Sequence, residues 1–248
     1  MQASGLAVRH HQKVWGAIAF YGFLAFGLSA WILKFTYYLA SDGITYLRLA
    51  ENLWSGKGLS MNPGEPYFRH PPFYSFVVGL ANLLCRNPEF SAHLVSISSF
   101  ALTVIPLFFL AQEIYSRNTA HWASLLYVTN GFLLIFSNLT MTESLFTLIL
   151  FIELFLAHRL LDPKPHSLLW GAWLGILGGL GYLTRSEGLF FYLAILAAIF
   201  FLGSKPFQAK LRLGFVSLVL FLIFFTPYLL FIRQASGHWQ VGGQAREM

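Results

Sequence analysis

Residues 213–232 read LGFVSLVLFLIFFTPYLLFI, and residues 14–33 read VWGAIAFYGFLAFGLSAWIL. Neither stretch holds a charged side chain. A helix of about 20 residues rises about 30 Å, the thickness of a bilayer's hydrocarbon core. Five more apolar runs lie between these two, at Ser91–Leu110, Trp122–Phe136, Ser144–Leu161, Leu168–Leu183 and Gly188–Leu202. The expected fold is an all-α integral membrane protein with about seven transmembrane helices. Only 10% of the residues are charged and 56% are hydrophobic, whereas a soluble domain carries about a quarter charged residues. Lipid is therefore the solvent that this composition fits.

The apolar run from Val14 is too long for the core of a secretion signal, and no small-residue cleavage site follows it, so it is read as a first helix that stays. The lone Cys85 excludes an internal disulfide framework and a Cys-rich metal cluster. The formal net charge is +6, but its bases punctuate apolar runs without a nucleic-acid motif, so the bilayer is the expected partner and nucleic acid is not.

Residues 73–84, FYSFVVGLANLL, decide the parity of the chain. Twelve helical residues reach only about 18 Å, too short to cross, and Arg86, Asn87, Pro88 and Glu89 then interrupt the run. The expectation is a re-entrant or interfacial helix. Lys and Arg in short loops set orientation. With the N-terminus inside, Arg9 and Lys13, Arg159 and Lys164, and Lys205, Lys210 and Arg212 share the cytoplasmic side. Residues 35–90 then form an external loop whose bases are offset by Asp42, Glu51, Glu65 and Glu89. Within it, Ile44 to Trp54 has helical spacing with one apolar face, which suits a helix lying in the interface. On this parity three polar turns meet one external face: Ser41–Arg69, Asn138–Glu143 and Thr184–Glu187.

Each turn holds residues with two readings. Asp42 is expected as the N-cap of the interfacial helix, as a general base or metal ligand, or as both. Glu143 opens a crossing, where the helix dipole favours an acid, or faces Asp42 as a second carboxylate. Arg185 is a snorkelling interfacial base or a bidentate fork for an anionic head group. Pro71 and Pro72 stiffen the chain after Arg69 and His70, and His70 binds phosphate or sits at the interface. Asn138-Leu139-Thr140 matches a glycosylation pattern, a signal too short to carry weight beside a membrane. The other histidines lack metal-ligand spacing, and no P-loop, Rossmann or serine-hydrolase motif is present.

Taken in order, these loops resemble a known group. Ser41-Asp42-Gly43-Ile44-Thr45-Tyr46, Ala50-Glu51, Gly56-Lys57-Gly58 and His70-Pro71-Pro72-Phe73-Tyr74 resemble the first external loop of GT-C glycosyltransferases, above all the protein O-mannosyltransferase and aminoarabinose transferase group. Thr142-Glu143, then Leu183-Thr184-Arg185-Ser186-Glu187-Gly188, then Tyr228 to Trp239 resemble its later loops. The resemblance implies transfer of a sugar from a polyprenyl-phosphate carrier to a hydroxyl on a lipid, glycan or protein, at the external face of a bacterial cytoplasmic membrane. It implies Asp42 and Glu143 as catalytic residues, with Tyr46, Arg69, His70, Arg185 and Glu187 binding substrate. Some relatives carry an acid where this chain has Arg69, so a bound divalent metal is left open. Relatives are usually longer, and residues 1–248 are expected to be one transmembrane module without a C-terminal half.

Two other classes compete. A transporter would use Glu153, a carboxylate near the middle of an apolar run and costly there without a function. A truncated membrane subunit without activity is the third reading.

Overall fold

The computed structural model describes residues 2–35, 41–62, 65–163 and 168–242, with the side chains of 2–12 outside that description. Among them are ten helices and one small antiparallel ribbon. The order is α1 (Gln2–Leu33), α2 (Ser41–Trp54), β1 (Ser60–Asn62), β2 (Glu65–Pro66), α3 (Phe73–Cys85), α4 (Pro88–Ile114), α5 (Arg117–Thr129), α6 (Gly131–Asn138), α7 (Glu143–Leu161), α8 (Leu168–Thr184), α9 (Gly188–Leu202) and α10 (Phe207–Ser236). The side chains of Arg9 and Lys164, invoked for orientation, lie outside the described set.

Each expected crossing coincides with a helix, though not all in the form expected. From Lys13 onward α1 is long and apolar enough to span a bilayer, as are α4, α7 and α10. The run Trp122–Phe136 is not one straight helix: α5 and α6 meet at Asn130 with a 56° bend, and the bent pair counted as one gives a fifth candidate span. The cause is local, because Asn130 leaves helical geometry and its side chain accepts the amide of Leu133, capping α6. The shorter helices α8 and α9 have 17 and 15 residues. They nevertheless connect the two ends of the bundle. Arg185 after α8 bonds Glu143 at the start of α7, while Ser204 after α9 donates to Leu161 at the end of α7.

Glycine makes that compaction feasible. Gly171, Gly175 and Gly179 recur every fourth residue along α8 and face α10. A Cβ on Gly175 would lie 2.1 Å from the Ser217 carbonyl oxygen, and one on Gly171 2.8 Å from that of Leu213. Membrane helices use such small residues to approach closely, since lipid tails supply no hydrophobic drive between them. On another face Gly178 accommodates the Tyr192 ring of α9, whose hydroxyl shares a 2.9 Å hydrogen bond with Ser217 of α10.

The α3 helix does not carry the chain across. Tyr74 near its start shares a 2.9 Å hydrogen bond with Ser96, only two turns into α4, and Ser96 in turn donates to Met141 in the turn before α7. It lies against α2, with Trp54 donating to the Phe76 carbonyl and filling the space over Gly79. The helix α2 already includes Ser41, so Asp42 belongs to its first turn and is not the cap expected from sequence.

Candidate active site

Asp42 and Tyr46 are one turn apart on α2 and therefore share a face. That face is pressed against the turn before α7 because residue 43 is glycine. A Cβ there would lie 2.0 Å from Oγ1 of Thr140. The glycosylation reading of this turn fails, since Asn138 is fully buried and donates to the Leu134 carbonyl.

From the other side of α2, the stiff Pro71-Pro72 step delivers His70 into a buried position. Its Nε2 lies 3.8 Å from an Asp42 oxygen, and its Nδ1 is 2.6 Å from the Tyr67 hydroxyl. Burial pushes the His70 pKa below its ordinary value; Asp42 opposes that shift, and Arg69 and Arg185 reinforce it. Burial likewise raises the Tyr67 phenol, with Asp42 adding to the rise. A neutral imidazole and a protonated phenol leave one sensible arrangement. With the Tyr67 O–H donating to Nδ1, Nε2 carries the proton on the side of Asp42, whose carboxylate at 3.8 Å lies beyond hydrogen-bond reach. The Tyr46 ring meets His70 edge-on at 5.0 Å. Its phenol is also held above the usual value, chiefly by burial and further by Glu143 and Asp42.

Opposite this group stands an ion-pair fork. Arg185 donates to Glu143 at 2.6 Å, to the Thr142 hydroxyl at 3.3 Å and to Glu187 at 3.4 Å. Burial works against its charge, but Glu143 and Glu187 outweigh that and hold the guanidinium above its ordinary value. Glu143 keeps a second oxygen, Oε2, that is buried and without a hydrogen-bond partner among the described residues.

Asp42, Tyr46, Arg69, His70, Glu143, Arg185 and Glu187, scattered over nearly 150 positions, line one cavity of about 200 Å³. Thr142, Thr184 and Ser186 share its wall. Thr142 was quoted in the sequence only as part of a motif and Tyr67 not at all, so neither was assigned a role, although each stands within three residues of a residue that was. Three helices, α2, α7 and α9, begin at this cavity, and neither α7 nor α9 has a side-chain cap on its first amides. Uncapped helix N-termini together with guanidinium groups favour an anion. Among the described residues no three His, Cys, Asp or Glu side chains gather closely enough to hold a metal ion. Glu153 is buried on α7 with Oε1 lacking a partner among the described residues, and it does not line this cavity.

A multi-pass helical membrane protein thus gathers carboxylates, a histidine and an arginine fork around one polar cavity at the ends of its helices. Residues 69–231 match the family described as dolichyl-phosphate-mannose-protein mannosyltransferase. The chain belongs to that family of membrane glycosyltransferases. The matched span begins at Arg69 and includes His70, Glu143, Arg185 and Glu187, while Asp42 and Tyr46 precede it. No curated protein and no solved structure matches the chain.

Proposed function

We propose that this protein moves a mannose-type sugar from a polyprenyl-phosphate carrier to a hydroxyl on a lipid, glycan or protein, at the external membrane face. The observation that carries this reading is the convergence of Asp42 and the Arg185 fork on one cavity at the start of three helices.

The chemistry assigns a task to each group. The acceptor oxygen attacks the anomeric carbon, forming a new C–O bond while the bond from sugar to phosphate oxygen breaks. The phosphate departs with the electron pair, and the acceptor proton passes to Asp42 as general base. His70 stands beside that carboxylate, with Nε2 3.8 Å away. Arg185 meets the growing negative charge on the phosphate, the kind of preorganised contact that is worth about 10²–10³ in rate. Glu143 and Glu187 hold the fork in place, and Tyr46 and Arg69 complete the walls around the sugar phosphate.

Charge distribution supports the external face. The helix ends remote from the cavity carry Lys13, Arg117, Arg159, Lys205, Lys210 and Arg212 against only Glu113 and Asp162 among the described residues. At the cavity end, acids and bases nearly balance. An excess of bases marks the cytoplasmic side.

The test is transfer from a mannosyl-phospho-polyprenol by the full chain in liposomes, with Asp42→Asn as the variant. Asp42→Asn is expected to lose transfer while remaining inserted and monodisperse. Full activity in that variant overturns the assignment of Asp42. A wild-type protein that neither cleaves nor transfers from any lipid-phosphate sugar overturns the donor class. Single cysteines at Asp42, Glu143 and Ser186, in a Cys85→Ser background, must all react with an impermeant thiol reagent from outside; labelling on opposite sides refutes the shared external site.

A further inference from the structure

At the opposite end of the bundle, α8, α9 and α10 leave a second cavity of about 330 Å³. Leu174, Leu196, Ile199 and Leu213 form much of its wall, and Lys210 is the one polar side chain lining it. The slot exists partly because residue 214 is glycine: a Cβ there would find no atom within 4 Å. The Lys210 ammonium donates to the Phe200 carbonyl at 2.8 Å, near the C-terminal end of α9. That bond anchors the charge at the mouth and uses one of its three N–H donors. No carboxylate pairs with Lys210 among the described residues.

Two other membrane-facing grooves make the contrast. The groove between α1 and α4 has no charged residue in its lining. The groove between α4 and α7 reaches Arg159, but Glu113 already holds that guanidinium at 2.5 Å. Of these three, the slot below Lys210 joins an apolar interior to a cation with no carboxylate partner among the described residues, and it lies on the end of the protein where bases outnumber acids.

We propose that this slot binds an anionic phospholipid of the leaflet opposite the candidate active site, with an acyl chain among α8, α9 and α10 and the phosphate on Lys210. Basic pockets between membrane helices select anionic head groups in this way. The proposal does not depend on the reaction assigned above.

The test is native mass spectrometry of the full chain, released from bilayers that contain equal phosphatidylglycerol and phosphatidylcholine. Wild-type protein is expected to retain phosphatidylglycerol over phosphatidylcholine by about fivefold, the weight of one basic residue at an anionic surface. Lys210→Gln should abolish that preference. Gly214→Leu, which fills open space, should lose retained lipid of both kinds. Arg212→Gln, at an exposed position outside the slot, should behave as wild type. The proposal is overturned if wild type shows no preference, if Lys210→Gln keeps it, if Arg212→Gln loses it equally, or if Gly214→Leu retains lipid at the wild-type level. Melting temperature and monodispersity in the same detergent accompany each variant, and either of the two slot variants that folds suffices to decide.

Discussion

Replacing Gly43 by alanine sets two effects against each other. Helix propensity alone favours the change by about 1 kcal/mol, because Gly43 lies inside α2. Packing opposes it. The new Cβ would sit 2.0 Å from Oγ1 of Thr140, and 3.3 Å from both the Cβ and the carbonyl oxygen of that residue. The first contact is short by more than an ångström, and the other two are only tight. Thr140 is fully buried and β-branched, so it yields poorly. Overpacking of this kind costs about 1–3 kcal/mol, so packing wins and α2 must lift from the turn before α7. Asp42 and Tyr46 lift with it, away from Arg185. A misplacement of about 1 Å in a catalytic arrangement costs about 10²-fold in rate. The assay is transfer from the lipid-linked sugar, with melting temperature measured alongside. Gly43→Ala should lose about 10²-fold in kcat/KM, and adding Thr140→Ala should restore most of it by removing the atom in conflict. Thr140→Ala alone should be nearly silent in the assay, because its hydroxyl has no hydrogen-bond partner to lose among the described residues. A Gly43→Ala protein that is more stable and fully active, or a folded double variant that stays inactive, refutes the claim that this contact assembles the site.

Three further outcomes follow from the same geometry. Because His70 titrates below its ordinary value of 6.5 in the fold, the unfolded chain binds its proton first as the solution is acidified. His70 therefore contributes stability that is complete above about pH 6.5 and is lost as pH falls through the folded value. The melting temperature of wild type should drop more steeply with acid than that of His70→Gln, and parallel curves would count against the buried neutral imidazole. Gly175→Val should destabilise the bundle by about 1–3 kcal/mol in a detergent melt, since its Cβ meets the Ser217 carbonyl; an unchanged melt would mean that α8 and α10 are not closely packed there. Glu143→Gln should release Arg185 from its nearest carboxylate and tighten inorganic phosphate binding, read as a thermal shift, by about tenfold. An unaltered phosphate response would show that the pair does not restrain the fork.

The apolar runs could be read directly because a membrane crossing imposes one demand over many consecutive residues. The α2 helix could be read for a similar reason, since seven apolar residues between Ile44 and Trp54 fall on a helical period. What escaped depends on single residues or on distant partners. Averaged hydropathy passes through Asn130, where one side chain ends a helix and starts another. The Gly171, Gly175 and Gly179 stripe was present in the sequence, but its meaning depends on residues of α10 more than forty positions away. Composition gave no means of pairing Asp42 with His70 or Glu143 with Arg185. Those residues were picked out by the order of their loop motifs, and what each touches emerged only once α3 was seen to stay on one face.

The ion pairs in the cavity bear on which phosphate it admits. Arg185 is charge-compensated by Glu143 and Glu187, so an incoming phosphate competes with two carboxylates for its donors. A soluble phosphate at low concentration competes poorly against a carboxylate fixed 2.6 Å away. A donor held in the bilayer by its polyprenyl chain competes at the high effective concentration that tethering provides. On the proposed reading, the acid paired with the fork thus acts as a filter, favouring phosphates delivered by the membrane over those dissolved outside it.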